Sequence, residues 1–294
     1  MTYPQPDVSL IVPCYNQSRF LPGIIESVKQ VKNLLVEIII IDDGSPNEEV
    51  LKHLKQLEPT KSARPFVLKR TLNCGLSASR NAGFRLARGR YIKFLDADDL
   101  LLPWALETQV GQLDSDETAD FHLIGYCTAT EDLSSFNVPE PSTLPTRSLS
   151  PSYVASAWET QLSIPIHSAL FRASSLAGMT FNEELEAKED WVFWHSVAQR
   201  KMKFILNHRL GVVYRTHPTS MTRNRSRMAR YWLKAIESII HSGTQLNLDE
   251  EAILIEHFNS FYFLHLNHGL FDSAPGDLIN SVTVHIPLTF EDRK

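Results

Sequence analysis

The chain has 294 residues, a net charge of −5 and 43% hydrophobic residues, which is the composition of a globular protein and excludes wholesale disorder. The net negative charge argues against a protein that coats nucleic acid. Three widely separated cysteines (Cys14, Cys74 and Cys127) provide neither a disulfide framework nor a CxxC metal site, which favours a reducing compartment.

The N-terminal residues lack the charged and then apolar pattern of a signal peptide. No apolar run approaches the roughly 20 residues that span a bilayer. The longest candidate, residues 31–41, is interrupted by Lys32, Asn33 and Glu37. We therefore expect a soluble, cytoplasmic protein.

Strand and helix patterns alternate through the first hundred residues. Apolar runs at 8–12 and 36–41 are typical of strands buried on both faces, and 65–69 and 91–95 are predicted as the third and fourth strands. Apolar residues recur at helical spacing in the segments between them, which are 18–30, 47–57 and 77–87. This alternation predicts a parallel sheet with helices on both faces.

The regular alternation ends near residue 115. Further strands are predicted at 121–130, 164–171 and 210–214, and a helix at 189–199. The Ser-, Pro- and Thr-rich stretch at 134–152 is typical of a functional loop or lid. From about residue 225 the pattern predicts two or three amphipathic helices, the second running through 253–264.

Acidic residues follow two of the predicted strands. Asp42 and Asp43 follow the second strand, and Asp96, Asp98 and Asp99 follow the fourth. Ligands of open α/β sheets bind outside these carboxyl ends, and a divalent cation would relieve the repulsion between the acids. An extended backbone would place Asp96 and Asp98 on the same side. Taken alone, the sequence DADD fits equally well a solvated turn that caps a helix beginning near residue 103.

A glycine-containing motif, NCGLSASRNAG, opens the predicted helix before the fourth strand. Gly75 suits a tight turn, and Ser77 is a candidate N-cap. Arg80 lies one turn into the helix, where its guanidinium can reach phosphate oxygens or a neighbouring aspartate. The alternative is an ordinary surface arginine.

Five motifs occur in a characteristic order: VSLIVPCYN, EIIIIDDGS, NxGLSxSRNxG, YIKFLDADD and KEDWVFW. Over residues 7–222 the set resembles a family 2 glycosyltransferase with the GT-A fold. The resemblance implies an α/β fold, with a Rossmann-like, mostly parallel sheet flanked by helices. It also implies a catalytic domain over 1–222, with a nucleotide-binding half at 1–115 and an acceptor half at 116–222, followed by a C-terminal helical extension at 223–294.

The resemblance also implies roles for individual residues. It assigns nucleotide contacts to Pro13, Tyr15, Asp43, Arg80 and Asp96. It assigns metal ligands to Asp96 and Asp98, with Asp99 a further candidate and His217 of the YRTHP segment a fourth. The general base that it implies is Asp190.

This assignment is chemically coherent. A divalent metal, Mn²⁺ or Mg²⁺, would neutralise charge on a nucleotide diphosphate as it leaves. Asp190 would take the proton of an attacking hydroxyl, and a single base of this kind predicts inversion at the sugar carbon. The expected donor is a UDP-sugar, and the expected acceptor is a carbohydrate, glycan or lipid-linked molecule of polysaccharide biosynthesis.

Structural explanations stand beside three of these roles. An acid such as Asp190 is also favoured in the first turn of a helix by the helix dipole. His217, beside a proline, also fits a surface residue. His167 lies on a predicted strand and is expected to be a satisfied core or cleft histidine rather than a ligand.

Two other functions remain open at the level of sequence. A nucleotidylyltransferase would share a related core, although the chain lacks the glycine- and arginine-rich N-terminal loop that binds a triphosphate. A non-catalytic carbohydrate-binding protein on the same scaffold is the other alternative.

A basic run follows the implied catalytic domain and consists of Arg223, Arg225, Arg227 and Arg230. It fits a solvated helix start, a contact with the donor diphosphate, or peripheral binding to the anionic inner face of a membrane.

Overall fold

The computed structural model describes residues 4–57, 65–138, 144–145, 148–218, 220–254 and 256. The chain divides into two compact units that alternate along the sequence. We call the first the sheet unit; it consists of Met1–Ser148, Ile164–Glu183 and Met202–His217. We call the second the helical unit; it consists of Leu149–Ser163, Glu184–Lys201 and Pro218–Lys294. The domain boundaries at residues 115 and 222 stay a prediction.

The sheet unit contains one sheet. Within the described residues its strands are β1 Val8–Cys14, β2 Val36–Asp42, β3 Phe66–Arg70, β4 Tyr91–Phe94, β5 Leu100–Leu101, β6 Phe121–Thr130, β7 Phe136–Asn137, β8 Ala169–Arg172 and β9 Phe204–Thr216. Their spatial order is β3-β2-β1-β4-β8-β6-β9-β5, with β7 beside β6.

The sheet is parallel in one half and mixed in the other. Strands β3, β2, β1 and β4 pair in parallel, as the alternation of strands and helices predicts. Strand β8 pairs antiparallel with both β4 and β6, while β9 pairs parallel with β6 and antiparallel with β5. The carboxyl ends of β1 to β4 therefore lie along one edge, where ligands of such sheets bind.

Among the described residues, four α-helices of the sheet unit and three of the helical unit are named here, and residues 248–254 of the helical unit are also helical. The first set is α1 Leu21–Lys29, α2 Glu48–Leu57, α3 Leu76–Leu86 and α4 Ala105–Ser115, and the second is α5 Pro151–Ala157, α6 Glu189–Gln199 and α7 Arg225–His241. Helix α3 packs on β1 and β2. Its Gly83 permits the close approach, because a Cβ there would lie 2.4 Å from an Ile11 methyl carbon.

Strands β6 and β9 pair with an irregular register. The register shifts on both sides of Gly125, so Ile124 pairs with Asn207, Gly125 with Leu210 and Tyr126 with Val212. A Cβ on Gly125 would lie 2.5 Å from the His208 carbonyl oxygen, so the bulge requires glycine here.

The interior of the helical unit is aromatic. Trp158 and Trp191 stack with ring centroids 6.4 Å apart, and Trp232 lies 5.6 Å from Trp191. All three rings are buried, and Trp191 Nε1 donates to the Val154 carbonyl oxygen at 2.8 Å. This packing explains Trp191, the first tryptophan of KEDWVFW, without a role in sugar binding. Across the described ranges, no helix combines the length and apolar character that a membrane span needs.

Most predicted elements occur within about two residues of their expected ends, but four expectations are wrong. Residues 164–171 are not one strand, because Pro165 precedes a 3₁₀ turn at Ile166–Ser168 and β8 begins only at Ala169. Ser77 is not an N-cap, since α3 begins at Leu76 after Gly75, whose φ is 91°.

The other two corrections concern segment lengths. Strand β9 has 13 residues rather than the five predicted at 210–214. The stretch 134–152 is not all loop, since it includes β7 and the start of α5. The predicted helix through 253–264 lies mostly outside the described residues.

Candidate functional site

The three acids of the DADD sequence lie in a turn directly after β4. The Asp99 N–H donates to the Asp96 carbonyl oxygen at 3.1 Å, which closes the turn. The extended backbone that would place Asp96 and Asp98 on one side therefore does not occur. Each acid instead has its own partner.

Asp98 contacts the histidine that follows β9. Its Oδ2 lies 2.8 Å from His217 Nε2, and the two side chains are 14% and 3% exposed. His217 is therefore not a surface residue. Burial and the neighbouring Asp96 raise the pKa of Asp98, while the contact with His217 opposes that rise. A carboxylate and an imidazole thus meet near the carboxyl ends of the parallel strands.

Asp96 pairs with Arg80 of α3. Arg80 Nη2 lies 2.7 Å from Asp96 Oδ1, with the Arg80 side chain 2% exposed and the Asp96 side chain 29% exposed. The guanidinium carbon lies 5.2 Å from the Phe181 ring centroid. Arg80 is therefore a buried partner of the acidic turn and not a surface arginine.

Asp99 is the most deeply buried acid of the turn. Its Oδ2 lies 2.7 Å from His167 Nδ1, and both side chains are at most 2% exposed. Its Oδ1 accepts the Arg215 backbone N–H at 2.9 Å. Burial raises the pKa of Asp99, and His167 opposes the rise. Both carboxylate oxygens of Asp99 therefore already lie against a nitrogen.

A second group of possible metal ligands overlaps the first. Asp96, Asp99 and His167 each offer one ligand atom, and these atoms lie within 4.8 Å of one another. A cation bound to these three would compete with Arg80, with the Arg215 N–H and with the contact between His167 and Asp99. A cation bound to Asp98 and His217 would replace their contact with each other.

The predicted nucleotide contacts lie at the ends of β1 and β2. Pro13 is in β1 opposite Ile41, and Tyr15 follows the strand with 43% of its surface exposed. Asp43 is buried, and its two carboxylate oxygens accept the N–H groups of Cys74 and Gly75, both at 2.9 Å. Asp43 therefore fixes the loop that leads into α3.

Glycine is required in the DDGS turn. Gly44 has a φ of 73°, and a Cβ there would lie 2.7 Å from the Asn73 backbone nitrogen. The turn and the loop before α3 can approach each other only because this side chain is absent.

The predicted base, Asp190, belongs to the helical unit, whereas all the other predicted site residues belong to the sheet unit. It lies in the first turn of α6, half-buried, and its Oδ1 accepts the Trp191 N–H at 2.8 Å. The preceding Lys188 has a φ of 64°, in the left-handed region, and contacts Glu159. This position is compatible with both the structural and the catalytic interpretation.

Sequence reasoning missed two residues of the acidic turn. His167 is buried, as expected of a core or cleft histidine, but its contact with Asp99 was not predicted. Arg215 was part of the YRTHP segment without a role of its own. Arg215 Nε donates to the Asp98 carbonyl oxygen at 2.7 Å. The spacing of Arg215 two residues before His217 is the only local signal that points to it.

Known proteins share the sequence motifs and the fold of this chain. A family model described as "Glycosyl transferase family 2" matches residues 9–150, which include β1 to β4 and the acidic turn. The chain is similar to this family over those residues, which make up just under half of its length. The match covers the motifs on which the resemblance was based, except KEDWVFW.

A curated relative extends the similarity beyond those residues. The chain is 27% identical over 221 residues to "Uncharacterized glycosyltransferase EpsJ" of Bacillus subtilis (strain 168). The alignment covers 74% of this chain and 63% of the relative, which is less than two thirds of its length.

Solved structures show the same fold. S. aureus TarS 1-349 in complex with UDP-GlcNAc matches with a TM-score of 0.66 at 16% identity, over 95% of this chain and 80% of TarS. Mannosyltransferase PcManGT from Pyrobaculum calidifontis, in complex with GDP-Man and Mn²⁺, matches with a TM-score of 0.63 at 17% identity. This match covers 98% of this chain and 82% of PcManGT. The predicted GT-A fold is confirmed.

Proposed function

We propose that this protein is a metal-dependent, inverting glycosyltransferase that moves a sugar from a nucleotide-diphosphate sugar to an acceptor hydroxyl. The observation that carries the proposal is the 2.8 Å approach of Asp98 Oδ2 to His217 Nε2 near the carboxyl ends of the parallel strands. The family match over residues 9–150 supports it.

The Asp98 and His217 atoms suit a divalent cation. An octahedral ion with ligand bonds near 2.1 Å keeps neighbouring ligand atoms about 3 Å apart. The observed 2.8 Å is close to that separation. Carboxylate and imidazole are also ligand types that Mn²⁺ accepts, and Mg²⁺ is the alternative. We therefore assign the ion to Asp98 and His217, with Asp96 beside them, and give Asp99 a supporting role.

The remaining residues of the sheet unit would bind and orient the donor. Tyr15 offers an exposed ring on which a base can stack, and Asp43 fixes the loop before α3. Arg80 and Asp96 would approach the ribose and phosphates. When bound, the metal would stabilise the negative charge of the departing diphosphate as a Lewis acid.

Asp190 is the proposed general base. It is half-buried, whereas the neighbouring Glu189 is buried, so Asp190 is the acid of this turn that is better placed to meet an acceptor. A single carboxylate that removes the hydroxyl proton gives one displacement and inversion.

We favour a UDP-sugar donor, and GDP-sugars are the first competitor to test. TarS is described with UDP-GlcNAc and PcManGT with GDP-Man and Mn²⁺. The acceptor class that we propose is a carbohydrate, glycan or lipid-linked molecule of polysaccharide biosynthesis. The basic run from Arg223 to Arg230 would allow peripheral contact with the inner face of the cytoplasmic membrane.

The first experiment is a thermal-stabilisation screen of UDP-, GDP-, CDP- and dTDP-sugars with and without Mn²⁺. A ligand that binds only the native state raises the melting temperature. We expect a Mn²⁺-dependent rise with one donor class, followed by slow release of its nucleoside diphosphate. Asp98→Asn should abolish the Mn²⁺-dependent rise in melting temperature. Asp116→Asn, at an exposed position, should leave that rise unchanged.

Other outcomes would favour the alternatives. Pyrophosphate release from a nucleoside triphosphate would support a nucleotidylyltransferase. Binding of a sugar-nucleotide or glycan without turnover under any acceptor condition would support a non-catalytic protein. Absence of nucleotide binding with and without metal would contradict the donor assignment.

A further inference from the structure

We propose that His167 and Asp99 form a buried positioning pair that holds Asp98 and His217 in place for the metal. Neither residue would touch the ion or the substrate. This inference rests on the proposed function, because the metal site that the pair supports is part of that function.

The burial of the pair is the first observation. Asp99 and His167 are 0% and 2% exposed, and Oδ2 lies 2.7 Å from Nδ1. The contact is close but is not a hydrogen bond by geometry, since neither Asp99 Oδ2 nor His167 Nε2 has a hydrogen-bond partner among the described residues. A buried carboxylate is costly unless nearby polar groups compensate it, and the polar edge of the His167 ring and the Arg215 N–H are the groups that lie against Asp99.

The second observation is that Asp99 is linked to both proposed ligands through Arg215. Asp99 Oδ1 accepts the Arg215 backbone N–H at 2.9 Å, and Arg215 Nε donates to the Asp98 carbonyl oxygen at 2.7 Å. Arg215 also lies two residues before His217. A displacement of Asp99 would therefore move the backbone of Asp98 and the end of β9 together.

The third observation is that neighbouring residues restrain the backbone and the ring of His167. The 3₁₀ turn Ile166–Ser168 is fixed because Gln109 Nε2 donates to the Ser168 carbonyl oxygen at 3.0 Å. Gln109 Oε1 in turn accepts from Lys93 Nζ at 2.8 Å. The Tyr214 ring centroid lies 5.1 Å from that of His167 and limits its rotation. The imidazole is thus restrained from both its backbone and its ring.

These contacts assign His167 a positioning role rather than a packing role. If this core position only had to be filled, an apolar residue would be favoured. A histidine costs more there, because it buries a ring nitrogen that has no hydrogen-bond partner. Residues that orient metal ligands from outside the coordination sphere commonly change metal affinity by about 10- to 100-fold when replaced.

The test compares two amides at position 167. In His167→Asn the side-chain N–H lies close to the Nδ1 position and can still face Asp99. In His167→Gln it lies near the Nε2 position and cannot. The control is His195→Asn in the helical unit, which removes a different buried histidine, one that contacts Thr244 at 2.6 Å through Nε2.

The measurements are Mn²⁺ affinity in the presence of UDP or GDP, by calorimetry, and the melting temperature of the metal-free protein. We expect His167→Gln to lower the Mn²⁺ affinity by about 10- to 100-fold. His167→Asn should stay close to wild type. His195→Asn should lower the melting temperature without changing the Mn²⁺ affinity.

Two results would overturn the proposal. If His167→Gln lowers only the melting temperature, or if the asparagine variant loses as much Mn²⁺ affinity as the glutamine variant, His167 is a packing residue. If the wild-type protein binds no Mn²⁺ with either nucleotide, the proposed function fails, and the positioning role fails with it.

Discussion

Arg80 balances part of the negative charge of the acidic turn. Its side chain is 2% exposed and pairs at 2.7 Å with Asp96, which lies among three carboxylates within four positions. Because water screens this pair less than a surface pair, the attraction between them is stronger than in most exposed ion pairs. Arg80 therefore contributes to stability as well as to the proposed nucleotide site.

Replacing Arg80 should be costly. We expect Arg80→Met to lower the free energy of unfolding by about 3 kcal/mol, because removing the guanidinium leaves the Asp96 carboxylate without its compensating charge. Arg80→Lys should recover only part of the loss, since an ammonium lacks the planar fork of the guanidinium. Urea denaturation measures both changes. Arg85→Met, at an exposed position of the same helix, is the control, and an equal loss there would contradict the argument.

Asp190 can be tested separately from donor binding. We expect Asp190→Asn to lower transfer by about 100- to 10,000-fold, the usual contribution of a general base, while nucleotide affinity stays near wild type. The measurement is transfer rate against calorimetric donor affinity, with the exposed Glu186→Gln as a control. Undiminished transfer in the asparagine variant would remove Asp190 from the mechanism.

Local motifs predicted some residue contacts and missed others. The resemblance assigned Asp98 and His217 to the same metal site, and the position of Arg80 one turn into its helix made it a candidate partner of an aspartate. The contact between Asp99 and His167 joins residues 68 positions apart with no recognisable pattern around the histidine. Only the tertiary structure brings such pairs together.

Lys93 connects two elements from inside the sheet unit. It lies in β4, fully buried, and donates from Nζ to Gln109 of α4 at 2.8 Å. Burial holds the pKa of Lys93 well below its usual value, because a charged ammonium is poorly solvated there. The strand and the helix are therefore joined by a polar contact, and burial opposes protonation of its donor.

This burial predicts a pH-dependent effect on stability. In the unfolded chain Lys93 takes up a proton below about pH 10.4, whereas in the folded chain it does so only at lower pH. The destabilisation is thus largest at low pH and disappears as the pH rises through the unfolded value. At pH 7 we expect Lys93→Met to unfold at a higher urea concentration than wild type. At pH 9.5 the difference in urea concentration between the two should be smaller.

The control for that comparison is Lys29→Met, at an exposed position of α1. It should show no such trend between the two pH values. A constant difference between Lys93→Met and wild type across this range would mean that Lys93 is not held neutral by its surroundings.

Elements differed in how well the sequence predicted them. Strands β1 to β4 are largely apolar runs separated by helices, with basic residues only in β3 and β4, so local pattern was sufficient. Strand β8 is short and antiparallel, and β9 continues far beyond its apolar part because it pairs with β6 along ten residues of that strand. Such pairing depends on distant residues, which a local pattern does not contain.

At the scale of the whole molecule, each unit contains a buried histidine with a lowered pKa. Burial lowers the pKa of His122 in the sheet unit to about 4, and it does the same for His195 in the helical unit. The proposed mechanism uses neither residue. Both must become protonated when the chain unfolds in mild acid.

We therefore expect the contribution of these two histidines to stability to fall as the pH decreases from about 6.5 to 4. At both sites the unfolded chain binds a proton in this range that the folded chain does not, so this contribution rises with pH. Each histidine accounts for on the order of 3 kcal/mol across the full range. His122→Asn and His195→Asn should each flatten the dependence of the unfolding free energy on pH, as measured by urea titrations.

The exposed His208→Asn is the control, and it should keep the wild-type slope. A wild-type slope in both buried-site variants would show that other groups cause the loss of stability in acid.

The family and the fold were easier to predict from the sequence than the division of the chain into two units. The ordered motifs predicted the family and the fold, both of which are confirmed. They did not predict that the helical unit would be built from three separated stretches of chain. The apolar stripe of α7 shows that the helix buries one face, but it does not identify the segments that cover it.

The bulge at Gly125 has a consequence for how this protein can change during evolution. Successive side chains of a strand point to opposite faces, so gaining or losing one residue between Asn207 and Leu210 would reverse every side chain that follows in β9. Arg215 would then turn away from Asp98. Insertions and deletions should therefore be tolerated at many surface turns of the sheet unit but selected against in these few positions, which lie far from Asp98 in sequence.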